Sequence, residues 1–471
     1  VNAPGASIRR RIFTGSLKYV LARSATGALG ILASLLLYRF LGPEESGKLQ
    51  LVLALAMGLG NIGSLGYLDT LARFVPEKKP NEGAGLFRHA LKLNAVAMAA
   101  GGLAFLGLLL AHAGLPQELV DVAPLFFLAT TSYALYATSI GMLRGHGRLL
   151  VIPQLDLVFN TGAKLLALGV AVLAPFLVPV YAVHTVVGVG VLFWVLYLLR
   201  GDLGRGEARF SSAEARFAKL IMVGEIVRML VVNVDIYVLR YLMGPEQVGL
   251  YAAGTRITRV GEQLILGPLM VPLLYYFSHP ESSFMRKKIM EQGTRLSGVT
   301  VGFAALVLTF LAKPIVNVFL GPEYMASIPI TQVYLIYALG RGIMFFMIPF
   351  YNSVNRPDYG IVHGLAIFVL NLVLDLVLIP RYGALGAAIG GVIAMSLATL
   401  AASAFLRRRF GVRMWSSVAR IYLLYGACFL LGEKGHPLVG IAVFVAALAP
   451  LRLLGPDELR WFKRARGARR A

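Results

Sequence analysis

The chain has 471 residues, of which 58% are hydrophobic and 14% charged, with a mean hydropathy of +0.73 and a formal charge of +22. A soluble domain carries about 25% charged residues, so this composition excludes a soluble globular enzyme and points to an integral membrane protein. The lone Cys428 excludes a disulfide framework.

A bilayer core needs roughly 20 predominantly apolar residues per helix, and that template predicts about fourteen spans. Their centres fall near Gly30, Gly63, Gly101, Tyr133, Leu165, Gly188, Leu230, Leu264, Leu308, Ala338, Leu370, Met395, Leu424 and Val445. Arg9, Arg10 and Arg11 precede the first apolar run. That run, from Leu17 to Phe40, is too long for a signal peptide and lacks a small-residue cleavage site, so it reads as an uncleaved first span.

Between the first two spans lies LGPEESGKLQ, residues 41 to 50, where Gly42, Gly47 and Lys48 have the spacing of a phosphate-binding loop. Leu49 stands where Mg²⁺ would need a hydroxyl, Pro43 removes a backbone donor, and Glu44 and Glu45 would repel phosphate. The stretch is therefore expected to be a turn. GLGNIG, residues 58 to 63, lies inside an apolar run after no strand, so it is no dinucleotide site. These glycines, with Gly27, Gly30, Gly386 and Gly390, suit close helix approach. The seven histidines have no metal-ligand spacing, and no metal site is expected.

Lys and Arg concentrate in alternate connections. One set holds Arg9 to Arg11, Lys78, Lys79, Arg88, Arg144, Arg148, Arg200 to Arg216, Arg286 to Lys288, Arg356, Arg407 to Arg413 and Lys463 to Arg470. The other holds only Lys48, Arg240, Lys313, Arg381 and Lys434. Both termini are expected in the cytoplasm of a multi-pass plasma-membrane protein. The basic excess then reads as topology signal and attraction to anionic lipid, with no nucleic-acid partner.

The sequence also repeats. YRFLGPEESGKLQLVLAL (38 to 55) is answered by LRYLMGPEQVGLYAAGTR (239 to 256), with Gly42, Pro43, Glu44 and Gly47 returning 202 positions later as Gly244, Pro245, Glu246 and Gly249. A second match joins LPQELVDVAPLFFLATTSYAL (115 to 135) to LGPEYMASIPITQVYLIYAL (320 to 339). Six spans thus repeat in the same orientation, the parallel repeat of many transporters. The expected fold is all-α, with an N-lobe over 1–200 (helices 1 to 6), an inter-lobe loop over 201–216, a C-lobe over 217–406 (helices 7 to 12), two further helices over 407–454 and a basic tail over 455–471.

Charged residues within apolar spans cost about 2.5 to 3.5 kcal/mol each, so their positions select candidate cavity residues. Spans one and two carry Arg23, Asp69 and Arg73, which fit either a locking ion pair or substrate contact. Span five carries Asp156, Asn160 and Lys164 at i, i+4 and i+8, one face of an α-helix. Span seven carries Glu225, Arg228 and Asp235, and span eight Arg256, Arg259 and Glu262. Arg341 in span ten and Asn371 and Asp375 in span eleven complete the set. Structural pairing between neighbouring helices is the alternative for each.

The turn LGPEESG, LGYLDTLARFVPE (65 to 77), VNVDIYVLRYLMGPEQVGLYAAGTRI (232 to 257) and FLGPEY (319 to 324) together resemble the polysaccharide-biosynthesis (Wzx-type) lipid-linked oligosaccharide flippases. These belong to the multidrug/oligosaccharidyl-lipid/polysaccharide exporter superfamily. The resemblance implies two six-helix lobes around a cavity that opens alternately to either side. It also implies a polyprenyl-pyrophosphate-linked oligosaccharide as substrate and no enzymatic activity, with membrane lipids and a polysaccharide polymerase as further partners. A lipid II flippase and a drug/cation antiporter are the alternatives within the superfamily; a membrane glycosyltransferase or polymerase is disfavoured by the short outer loops. Coupling to H⁺ or Na⁺ through Glu225 or Asp235 is compatible with this reading.

Overall fold

The computed structural model describes residues 4–111, 114–203, 206–265, 286–354, 356, 358–451 and 453, with side chains described from residue 26 onward except 28, 260–265, 348 and 352. Among these residues the secondary structure is helical throughout. Helix α1 (Pro4–Gly63) is followed by α2 (Tyr67–Phe74), α3 (Pro80–Leu110), α4 (Gln117–Asp121), α5 (Ala123–Gly145) and α6 (Ile152–Asp156). A π-helical turn, Leu157–Gly162, leads into α7 (Ala163–Leu173). Then come α8 (Leu177–Leu198), α9 (Arg200–Leu203), α10 (Ser212–Met243), α11 (Pro245–Ile265), α12 (Arg286–Phe319), α13 (Ser327–Met344), α14 (Met347–Ser353), α15 (Asp358–Phe410), α16 (Trp415–Lys434) and α17 (Pro437–Ala447).

All fourteen expected centres fall within these helices. Eight helices among the described residues are long and apolar enough to cross a membrane, and the bent pair Leu29–Gly63 and Tyr67–Glu77 makes nine. Helix α10 fails that criterion because it carries a charge on almost every turn, from Glu214 to Arg240. Helices α1 and α15 are each two helices joined across a glycine kink, at Gly42 (φ 74°) and Gly383 (φ 56°). Positive φ costs a Cβ-bearing residue roughly 1 to 2 kcal/mol, which is why glycine stands at both breaks.

The second span is not continuous. After Gly63 the chain passes through Leu65 (φ 52°) and Gly66 (φ 76°) before α2 leaves at a 44° bend. A non-glycine residue at positive φ is uncommon and marks local strain, here four residues before Asp69.

The chain packs as two units. The first comprises Val1–Ala253 with Phe319–Tyr324 and Ile379–Ala384; the second comprises Gly254–Val318, Met325–Leu378 and Leu385–Ala471. Helix α10 therefore belongs to the first unit. One core of that unit joins Leu71, Phe87, Met142, Leu143, Leu155 and Val195, and another joins Leu37, Leu49, Val52, Val122, Ala167 and Tyr181. In the second unit Leu306, Leu339, Ile343 and Phe350 pack with Ile421, Tyr425, Cys428 and Phe444. Helices α16 and α17 are thus built into its core, and the Tyr425 hydroxyl lies 2.9 Å from that of Thr309.

The repeated turns meet within the first unit. Gly42 and Gly244 both have positive φ (74° and 94°), and Pro43 and Pro245 each open the helix that follows. A Cβ on Gly47 would overlap the Pro245 carbonyl, and a Cβ on Gly249 would overlap that of Pro43, so the two copies clasp reciprocally. Glu45 accepts the Leu177 N–H at 2.7 Å, while its counterpart Gln247 accepts the Ala384 N–H at 3.0 Å. Each copy therefore caps the start of a helix further on, 132 residues away for Glu45 and 137 for Gln247. Ser46 and Tyr324 share a hydrogen bond of 2.8 Å, and the Tyr324 hydroxyl donates to the Tyr38 carbonyl at 2.9 Å. Lys48 is paired with Glu44 at 2.8 Å and Glu45 at 2.7 Å, so its phosphate-loop spacing has a structural use.

At the other end of the same unit, the segment between α9 and α10 is docked on the start of α3. Phe210 stacks on Tyr67 with centroids 4.8 Å apart, and Ala208 lies against Gly85. Ser211 and Glu214 form a reciprocal capping box, and the Glu214 carboxylate also meets Lys78 at 2.9 Å.

Candidate functional site

A charged cluster occupies the first unit where α2, α5 and α10 meet. Asp69 projects from the helix that follows the strained Leu65 turn and lies 3.5 Å from Arg144 at the end of α5. On α10, Arg228 donates through Nε to Glu225 at 2.9 Å and through a second nitrogen to the same carboxylate oxygen. Asp69 is also within electrostatic reach of Glu225 and Arg228. The side chains are partly exposed: 53% for Arg228, 45% for Asp69, 33% for Arg144 and 26% for Glu225. Charges such as Glu225 and Arg228, midway along α10, face the interior of a bundle or a water-filled cavity rather than lipid.

An aromatic wall adjoins the charges. The Tyr133 side chain lies beside that of Asn61 and within electrostatic reach of Arg228, Asp156 and Glu225. Tyr136 stacks on Phe159 at 5.1 Å and donates to Asp156 at 3.3 Å. Gly60 admits Tyr133 against α1, and Gly188 admits Phe159 against α8.

A π-helical turn over Leu157–Gly162 lies within the stripe expected for Asp156, Asn160 and Lys164. One inserted residue rotates the downstream helix by about 100°, one residue's share of a 3.6-residue turn. Eight α-helical residues would set Asp156 and Lys164 about 80° apart, so the insertion leaves them on one face; Asp156 meets Tyr136, and the Lys164 ammonium lies over Gly30 of α1, 3.6 Å from where a Cβ would stand. Thr161 fastens the turn to α1 by donating to the Thr26 carbonyl at 3.0 Å. π-turns often occur at functional sites because they redirect side chains in this way.

Arg73 points away from the cluster, its guanidinium 4.8 Å from the Phe217 ring and 5.3 Å from that of Phe74. Asp235 is buried and accepts a hydrogen bond from Tyr251 on α11. Arg23 and Glu262 lie on α1 and α11, but their side chains fall outside those described. Arg256 and Arg259 are half-buried on α11.

The second unit holds its own polar group. Asn371 and Asp375 are buried on α15 while their neighbours Val373 and Leu376 are exposed, so the two polar residues face the unit's interior. A Cβ on Gly390 would lie 3.0 Å from the Asp375 carboxylate, and Gly391 leaves room for Asn371 and the stacked Tyr334 and Tyr337 rings, 4.6 Å apart. Arg341 on α13 is exposed.

Sequence reasoning missed Arg144, counted there among the topology charges, and the aromatic residues Tyr133, Tyr136 and Phe159. The signal was present: Tyr133, Tyr136 and Arg144 stand at i, i+3 and i+11, one face of α5. It also missed Glu118, which is buried and holds Arg240 by two hydrogen bonds, one of 2.9 Å.

Comparisons with known proteins agree with this architecture. The family model described as polysaccharide biosynthesis protein matches residues 12–278. No curated protein matches the sequence. Among solved structures, the lipid II flippase MurJ in an inward closed conformation is similar at 13% identity, with a TM-score of 0.73 over 92% of this chain and 98% of that one. An inward-facing multidrug-resistance MATE transporter of the MOP superfamily matches at 13% identity and a TM-score of 0.65, over 86% of this chain and 99% of its own. A MOP-superfamily transporter from Pyrococcus furiosus matches at 14% identity and 0.60, over 84% and 96%. At these identities the likeness is one of fold.

Proposed function

Since the chain belongs to the polysaccharide biosynthesis protein family, we propose that it moves a polyprenyl-pyrophosphate-linked oligosaccharide from the cytoplasmic to the outer leaflet by alternating access, as a transporter and not an enzyme. The observation that carries this reading is the partly exposed Asp69, Arg144, Glu225 and Arg228 cluster on α2, α5 and α10. Guanidinium groups match phosphate oxygens in bidentate geometry, and the adjoining tyrosines offer amphipathic faces with a polar tip. The polyprenyl tail would remain in lipid while the head crosses.

A potential negative inside is worth about 2.3 kcal/mol per charge per 100 mV. Outward passage of a dianion is then favoured by roughly 4 to 5 kcal/mol. Ion coupling is therefore not required; Glu225 and Asp235 are the carboxylates through which H⁺ or Na⁺ would act. The Lys and Arg distribution supports a cytoplasmic location for both termini, and a polysaccharide polymerase is the expected downstream partner. The fold similarity to MurJ supports lipid II as the second substrate reading.

The test is a fluorescent polyprenyl-pyrophosphate glycan in proteoliposomes. Wild type should move it across the bilayer, and Lys164→Ala and Arg228→Ala should slow it at least tenfold at equal protein. Equal rates in all three proteins would refute the assignment of the path, and a preference for organic cations would favour an antiporter.

A further inference from the structure

An anion path needs cations, yet the cation best placed for one here is already occupied. Arg228 gives the Nε edge of its guanidinium to Glu225, and the second bond of that pair comes from Nη2. Both bonds end on the same Glu225 oxygen, and the same Nε–Nη2 edge is the one an arginine can offer to two phosphate oxygens. The partners are three residues apart on α10, so the pair needs no neighbouring helix and can persist through any rearrangement of the bundle.

The cluster is also balanced. Asp69 and Glu225 offset Arg144 and Arg228, so its formal charge is zero when it holds no substrate. That balance removes the cost of carrying an uncompensated guanidinium through the membrane. The same balance means that an incoming phosphate must compete with a carboxylate already present.

We propose that Glu225 is a displaceable counter-ion: the pyrophosphate of the substrate takes the Nε and Nη2 donors of Arg228 from Glu225 on entry, and Glu225 reclaims them to expel it. The surroundings favour its return. A displaced Glu225 carboxylate is left near Asp69, a like charge, and like charges disfavour each other. Arg144 is held by Asp69 at the looser distance of 3.5 Å. Glu225 is thereby a specificity-determining residue that trades affinity for release, and this role rests on the proposed anion path.

The test uses the full-length protein in nanodiscs with farnesyl pyrophosphate as probe. Affinity is measured by calorimetry and release by stopped-flow displacement, for wild type, Glu225→Gln, Glu225→Asp and Arg228→Ala. Glu225→Gln removes the competing charge but keeps the side chain's shape. It should bind roughly tenfold tighter and release the probe correspondingly slower, while Glu225→Asp should stay within about twofold of wild type. Glu225→Gln binding no tighter than wild type, with Arg228→Ala binding weakened, would overturn the counter-ion role and leave the anion path standing. Equal binding by wild type and Arg228→Ala would overturn the path itself.

Discussion

Adding a single methyl group at Gly47 tests the clasp between the two repeat copies. In the structure a Cβ at this position would stand 2.8 Å from the Gly249 nitrogen and closer still to the Pro245 carbonyl. Ordinary contact begins at 3.4 Å, so backbone on one side must withdraw by at least 0.6 Å at the nitrogen alone. The obstacle is main chain, which cannot rotate away as a side chain would. Overpacking of this kind costs about 1 to 3 kcal/mol, so Gly47→Ala should shift the clasp toward its parted form about five- to hundredfold. Ser46, fully buried beside the clasp and bonded to Tyr324, supplies the reporter. With Cys428→Ala and Ser46→Cys as background, a membrane-impermeant thiol reagent should label the Gly47→Ala protein faster by that factor. Gly249→Ala, which meets the Pro43 carbonyl, should do the same. Equal labelling rates with and without the methyl group would refute the clasp as a closed contact.

Glu118→Gln should lower stability by about 1 to 3 kcal/mol, below the full cost of breaking a buried pair because Arg240 keeps 27% exposure. The melting temperature of the purified protein measures this, and Arg240→Ala added to Glu118→Gln should cost less than the sum of the two alone. The docked segment before α10 carries a pH dependence. Burial pushes the Glu214 carboxyl up, but the Ser211 N–H and Lys78 outweigh it and hold the folded-state value below the ordinary 4.5. Its stabilisation is therefore complete above pH 4.5 and lost as pH falls through the lower folded value. The gap in melting temperature between wild type and Glu214→Gln should be constant from pH 6 to about pH 5 and close on acidification. A gap unchanged at about pH 3 would contradict the pairing.

Much of the architecture was legible in the chain because a bilayer makes length and apolarity decisive: a backbone with no water to bond must become helix. The fourteen centres all lie in helices, and the repeat of Gly42-Pro43 as Gly244-Pro245 anticipated the two matched kinks. The phosphate-loop likeness was rightly set aside, since Lys48 is held by Glu44 and Glu45. Charge spacing on α10 placed Glu225 and Arg228 together because residues three apart on a helix meet whatever surrounds them.

Partners from distant segments were not legible. Asp69 pairs with Arg144, 75 positions later, and Glu118 with Arg240, 122 positions later. Nothing in either local sequence names the other. The π-helical turn in span five was not legible for a related reason: it is fastened by Thr161 to Thr26, a contact no helical periodicity encodes.

The sequence by itself determined an all-helical, doubled membrane protein and which helices carry charge. Those properties follow from local hydrophobicity and i, i+3 geometry, which survive any packing. Only the tertiary structure decided that Asp69 meets Arg144, that Lys164 turns toward Gly30, and that the repeated turns grip each other. Each of these depends on which surfaces of separate helices come within a few ångströms, and only packing of the whole chain sets that distance.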